Sequence, residues 1–377
     1  MLKHFSLKYA LIYHMNRKNK IVIGFFILIL LVSAILTINK NKSEIGEIRI
    51  GIIAPLSGPL AEYGEAFKNG VIMATEQNPK TNVSFFFEDS SEDPKKAISA
   101  FYKLKDQNGV NVIFNWGAAS SQAIAPLIQD SNIVFLSNSS EPEVTRASKY
   151  IIRTAYRAED YASTMWSYFR ERGYKDIGIV KLEMVFFNEL IRGLEVTKRP
   201  DEKISVVDTY LSFGDRDFKT SILKIKSSPV QKDVVGVFLV QGQVSQFYTQ
   251  AELYGLKVPT FGTDVFESQD ELTKAGKYMN GASYALNDFS LQFKNEYRNR
   301  FGNIGQISYA ANAYDISNML IKNVDFKDRD SIMSSFKSSD FSGVAGMYQF
   351  KDLPDDRSFS APVVLKTIAN GESNPSR

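Results

Sequence analysis

The chain has 377 residues, too many for one small core, so two domains are expected. Its 45 basic and 42 acidic residues are mixed in sign and 44% of all residues are hydrophobic, which argues against large-scale disorder. The first 42 residues hold seven of the Lys and Arg and no acid; taking those seven from 45 leaves 38 against 42, about −4, and no basic surface for nucleic acid.

The chain opens with a leader. "NRKNK" precedes Ile21 to Ile38, 18 residues without a charge. A positive stretch followed by an apolar one predicts export of everything downstream. Val32-Ser33-Ala34 suits cleavage, while Ile35 to Ile38 extend the run to a length that spans a bilayer. Signal peptide and membrane anchor through 21–38 both stay open, as do Met1 and Met15 as the start. With no cysteine in the chain, disulfides and lipid attachment are excluded.

From Glu47 on, apolar runs alternate with helical patterns. Strands are expected at 47–54, 82–88, 110–115, 132–136, 176–181, 204–210, 234–240 and 259–262. The first helix puts Tyr63, Ala66, Phe67, Gly70, Val71 and Ala74 on one face, at spacings of three and four. The second starts at Asp93-Pro94, a capping residue followed by proline in the first turn. β-Branched strands separated by helices predict parallel sheets covered on both faces. The alternation restarts at 150–163 and again near 281–287. Two α/β domains are therefore expected, with the boundary crossed more than once, and a polar tail closes the chain from Asn370.

The available chemistry is limited. Both histidines, His4 and His14, precede the apolar leader segment, so the exported part has neither His nor Cys. That removes Ser-His-Asp and Cys-His catalysis and any His or Cys metal site. Glu88-Asp89 and Glu92-Asp93 read as loop and helix-capping residues rather than catalytic acids. No enzyme and no cofactor are expected.

Three loops follow strand ends. "APLSGPLAEYGEAF" has neither the three-glycine dinucleotide spacing nor a Gly-Lys-Ser/Thr ending, and it presents Tyr63 near a helix start. "VIFNWGAASSQAIAPL" places small residues, Gly117 to Ser121, at a helix start whose N–H groups, with Ser120 and Ser121, suit an anion such as a carboxylate. "VFLSNSSEPEV" ends its strand in Ser137, Asn138, Ser139 and Ser140. All three lie at carboxyl ends of expected parallel strands, where open α/β sheets bind ligands.

With these residues in view, the chain resembles the type I periplasmic binding proteins, in particular the leucine/isoleucine/valine-binding family that feeds ABC importers. "GPLAEYGEAFKNG", "DSSEDPKKA", "SNSSEPEVT", "IIRTA" and "YAANAYD" fall in that family's order. The resemblance implies two doubly wound parallel-sheet lobes joined by three crossovers. The expected division is 47–155 with 285–342 as lobe 1, 156–284 with 343–370 as lobe 2, and 371–377 as tail, behind the apolar helix of residues 1–42. It further implies a ligand held between the lobes. Tyr63 would cover it; Ala118 and Ala119 would hold its α-carboxylate; Asn138, Ser139 and Ser140 would touch carboxylate and ammonium. From lobe 2, Phe186 would close on it and Asp264 would pair with the ammonium, since a cation in a dry cleft needs a counter-charge.

Four departures bear on the ligand. Ala118 stands where serine is usual, Phe186 lacks a phenol hydroxyl, position 264 carries the shorter acid, and "KLEMVFFNEL" lacks the usual Tyr-Gly. The expected ligand is an amino acid, an amide or a small carboxylate, and the implied partner is an inner-membrane ABC permease. The alternative is a ligand-sensing protein of the same fold anchored by 21–38, outside the cytoplasm in either case.

Overall fold

The computed structural model describes residues 47–79, 81–302 and 306–375. The leader, with its apolar segment 21–38, lies outside the described residues. From Ile48 on, the chain forms one compact unit containing two sheets.

The first half of the chain follows the expected alternation. β1 (Ile48–Ala54), α1 (Ala61–Gln77), β2 (Val83–Asp89), α2 (Pro94–Tyr102), β3 (Val112–Trp116), α3 (Ala118–Ile128), β4 (Val134–Asn138), a short α4 (Glu143–Arg146) and β5 (Ile151–Arg153) build the first lobe. α5 (Ala158–Glu171), β6 (Asp176–Leu182), α6 (Val185–Thr197), β7 (Lys203–Leu211), α7 (Lys219–Lys226), β8 (Val234–Phe238), α8 (Val244–Leu253), β9 (Thr260–Gly262), α9 (Gln269–Ala275) and β10 (Ser283–Asn287) build the second. β3, β4 and β8 are buried at every position, as parallel strands with helices on both faces must be. Asp93 caps α2 by accepting from the N–H groups of Lys95 and Lys96, with Pro94 in the first turn.

The chain then returns. α10 (Leu291–Phe301), α11 (Ile307–Asn323) and α12 (Arg329–Ser338) precede β11 (Phe341–Gly343), β12 (Gly346–Leu353), β13 (Asp356–Ser360), β14 (Val363–Ala369) and β15 (Glu372–Pro375). α11 packs along α1, and a Cβ on Gly70 would fall on the backbone carbonyl of Ala310. The first sheet has the order β11-β12-β13-β5-β4-β3-β1-β2 and the second β15-β14-β10-β9-β8-β6-β7.

The division of the return segment departs from the sequence expectation. β10 belongs wholly to the second sheet, although a boundary was expected at 284/285. Residues 341–360 complete the first sheet, where 343–370 was expected in lobe 2. Residues 372–375 pair with β14 and are not a free tail. These late strands pair mostly antiparallel, although β13 also runs parallel to β5. Their residues do not form the continuous apolar runs that mark the parallel strands, and pairing alone decides their sheet.

The sheets are joined at three places, near 154–157, 288–290 and 361–362. These crossings are tied together. Arg153 donates from Nε and Nη2 to both carboxylate oxygens of Asp356, at 2.8 and 2.7 Å, and Arg157 Nε donates to Asp356 Oδ2 at 2.8 Å. Asn287 donates to the carbonyls of Ala361 and Pro362, and the Ser290 N–H to that of Val344.

Candidate functional site

The carboxyl ends of both sets of parallel strands face one cavity of about 310 Å³. β1 leads to Pro59, Leu60 and Tyr63, β2 to Ser91 and Glu92, β3 to Trp116–Ala119, and β4 to Asn138–Glu141. The second lobe supplies Glu183–Phe187 after β6, Phe213 after β7, Val240 after β8, and Asp264 and Val265 after β9. Tyr309 of α11 completes the wall. Tyr63, Ala118, Ala119, Asn138, Ser139, Ser140, Phe186 and Asp264, the eight residues singled out in the sequence, all line this cavity.

The aromatic wall is built from packed rings. Tyr63, Trp116 and Tyr309 lie 5.3–5.7 Å apart, centroid to centroid, in pairs. Phe186 packs on Phe187, which packs in turn on Phe238 of β8. Phe114, the other aromatic of β3, faces the core against Phe67 at 4.5 Å and takes no part. Phe114 and Trp116 lie two residues apart on the same face of β3; Phe114 is covered by Phe67 of α1, and Trp116, at the last position of the strand, reaches the cavity.

The start of α3 does hold a carboxylate, but one from the chain itself. Glu92 accepts from the Ala119 N–H at 2.7 Å and from Ser120 Oγ at 2.8 Å. Ser91 and Glu92 both have positive φ, 47° and 55°, a backbone form that costs an ordinary residue about 1–3 kcal/mol. Gly117 at φ 120° faces Glu92, and a Cβ there would fall on the Glu92 carboxylate. Burial pushes the Glu92 carboxyl up, and its hydrogen bonds from Ser120 and Ala119 work against that. The donors that the resemblance assigned to a ligand's α-carboxylate are thus engaged by Glu92 in this structure.

Deeper in the cavity are two acids without such partners. Glu141 is 2% exposed, and neither of its carboxylate oxygens reaches hydrogen-bond geometry with a protein donor. Burial pushes its carboxyl up to about 7; its own backbone N–H, the Arg153 charge and the Ser139 hydroxyl lower it, and Glu189 raises it. Asp264, also 2% exposed, leaves Oδ2 unpartnered. Burial raises it to about 6, against the Tyr309 and Thr263 hydroxyls and its own backbone N–H. Asp264 in turn raises the phenols of Tyr63, Tyr156, Tyr161 and Tyr309, after their burial.

The serine loop is tied into the wall. Ser121, Ser137 and Ser139 form a hydroxyl chain at 2.7 and 2.8 Å. Asn138 donates to Asn312 Oδ1 at 2.7 Å, and Asn312 donates to the Thr154 carbonyl at 2.9 Å, which joins this loop to α11 and the first crossing. Glu92, Glu141 and Tyr309 are site residues that sequence reasoning did not select. Glu141 was visible as an acid within the third strand-end loop and Glu92 as a loop or helix-capping acid after the second strand; their depth was not. Among the described residues no cluster could hold a metal ion, and no helix is long and apolar enough to cross a membrane.

Comparison with known proteins gives consistent results. A family model described as periplasmic binding protein matches residues 47–372. The leucine-, isoleucine-, valine-, threonine- and alanine-binding protein of Pseudomonas aeruginosa is 27% identical over 246 residues, 62% of this chain and 65% of the relative. The Leu/Ile/Val-binding protein of Escherichia coli K12 is 23% identical over 60% of this chain and 63% of its own. The chain thus spans less than two thirds of the length of these curated relatives. Two solved structures share the fold. A solute-binding protein of an ABC transporter from R. palustris, in complex with benzoate, has a TM-score of 0.76 at 18% identity, covering 88% of this chain and 95% of that one. A branched-chain amino acid transporter substrate-binding protein from Streptococcus pneumoniae, in complex with isoleucine, has a TM-score of 0.73 at 20% identity, covering 87% and 99%.

Proposed function

Because the chain belongs to the periplasmic binding protein family, we propose that it captures a small solute between its two lobes outside the cytoplasm and delivers it to an ABC permease. The family is one of binding proteins rather than enzymes. One observation carries the reading: a single cavity lined from both lobes by the carboxyl ends of both parallel strand sets, with its polar groups converging on it. Residues 154–157, 288–290 and 361–362 serve as the hinge. Gln306 at the start of α11 donates to Gln241 of the second lobe at 3.1 Å, a contact that opening would break.

The eight residues chosen from the sequence act here as the lining of the binding site, joined by Glu92, Glu141, Trp116 and Tyr309. The leader directs export, and its apolar segment either is removed or anchors the protein.

Small-angle scattering tests the reading. A solute bound at 100 times its dissociation constant adds about 2.7 kcal/mol to stability, so thermal shifts identify candidates among amines, amino acids, amides and aromatic acids. The best of them is expected to lower the radius of gyration at saturation. A saturating ligand that leaves the radius unchanged would count against a cleft that closes.

A further inference from the structure

Among the described residues, the lining of the cavity contains four acids, Glu92, Glu141, Glu183 and Asp264, and not one Lys or Arg. The guanidinium of Arg153, at the end of β5, is fully buried and bound through two nitrogens to Asp356. Its third contact is with the Ser139 carbonyl at 3.3 Å. Glu183 is held by Lys181 and Asn188 at the rim. Glu141 and Asp264 are different: both are buried, both line the cavity, and both have carboxylate oxygens without a protein donor. Around them stand Tyr63, Trp116, Tyr156, Phe186, Phe213 and Tyr309, whose ring faces attract cations.

The anion site is already occupied. Glu92 takes the α3 donors from within, and the chain accommodates it with two left-handed residues and a glycine. A ligand carboxylate would have to displace Glu92 or lie among unpaired acids. Two neutral donors in the lining are buried without a partner, the Trp116 indole N–H and the Tyr156 hydroxyl, and suit one hydroxyl or carbonyl on the ligand. Buried acids without partners call for a positive charge, and the rings call for an organic one.

We propose that the cleft takes a small organic ammonium that lacks a carboxylate, an alkyl or aryl amine of amino-acid size, with Glu92 standing where a ligand's carboxylate would be held. The inference rests on the solute-binding reading and narrows its ligand class. Glu141 and Asp264 are the counter-charges, and the aromatic wall covers the hydrocarbon part.

Two matched sets of compounds test it on the full-length protein at pH 8. One is 3-methylbutylamine, leucine and 4-methylpentanoate; the other is phenethylamine, phenylalanine and 3-phenylpropanoate. By titration calorimetry the amine of at least one set is expected to bind tenfold or more tighter than its amino acid and its acid. Glu92→Ala, which frees the α3 donors, is expected to shift the ratio of amino-acid to amine affinity at least tenfold toward the amino acid. Asp264→Asn and Glu141→Gln are each expected to weaken the amine tenfold or more with the circular dichroism unchanged. If Glu92→Ala fails to fold, the wild-type ranking decides. An acid or amino acid that outbinds its amine overturns the proposal, and so does the absence of binding by both amines. In either case, closure on some other solute leaves the solute-binding reading standing, whereas no closure on any solute removes both.

Discussion

Glu141 is the residue whose energetics are most exposed to measurement. Its carboxyl is raised by burial to about 7, so the folded protein holds a proton there that the unfolded chain has released. Stability therefore falls as pH rises from about 4.5 to about 7, and stays level above that. Over the whole window the loss is on the order of 3 kcal/mol. Asp264, raised to about 6, adds a smaller fall in the same direction. Glu141→Gln keeps the shape and removes the titration. Thermal melts at pH 5 and pH 8 should show the variant losing less stability across that range than the parent. Parallel losses in the two proteins would mean that Glu141 is not the group that titrates. A bound cation reverses the slope, because it favours the ionised carboxylate.

Among elements, the packing of α1 on α11 sets part of the cavity's aromatic wall, since Tyr63 and Tyr309 lie one on each helix and meet at 5.7 Å. Gly70 permits the close approach, with the Ala310 carbonyl where a side chain would begin. Gly70→Ala ordinarily stabilises a helix interior by roughly 0.5–1 kcal/mol. Here the neighbour is backbone and cannot step aside, so overpacking at about 1–3 kcal/mol or more outweighs the propensity gain. The expected outcome is a lower urea midpoint and weaker ligand binding. An unchanged or higher midpoint would show that the two helices can separate at little cost. α3 shows the same logic in another form. Its first turn has no side-chain cap of its own at Gly117, and a carboxylate 27 residues upstream does that work.

At the scale of the whole molecule, the first crossing between the two sheets is held by charge. Asp356, at the start of β13, neutralises two arginines, the fully buried Arg153 at the end of β5 and Arg157 in the first crossing. Asp356→Ala leaves Arg153 buried without a counter-ion. Breaking such a pair from one side typically costs about 3–5 kcal/mol, far more than any exposed ion pair on the surface. Denaturant unfolding should register a loss of that order. A loss under about 1 kcal/mol would show that water or a rearranged partner reaches Arg153. Two strands and one crossing meet at this point, so its failure would loosen both lobes.

The sequence by itself determined the class of fold, because buried parallel strands read as continuous apolar runs and helices as repeats of three and four. All eight strands expected up to residue 262 are present within two residues of their expected bounds. The absence of Cys, and of His after residue 14, by itself confined the chemistry to carboxylates and lysine. The strand-end loops pointed to the cavity because parallel sheets always open at the carboxyl end. Tertiary structure alone decided the rest. The strands after residue 340 have weak periodicity, and their sheet is set by which edge is free to pair. Glu92 read as a loop or helix-capping acid and does cap a helix, but α3 rather than the helix that follows it, and Glu141 became a buried acid without a hydrogen-bond partner. Pairing and burial are properties of distant segments brought together, and no local pattern in the chain encodes them.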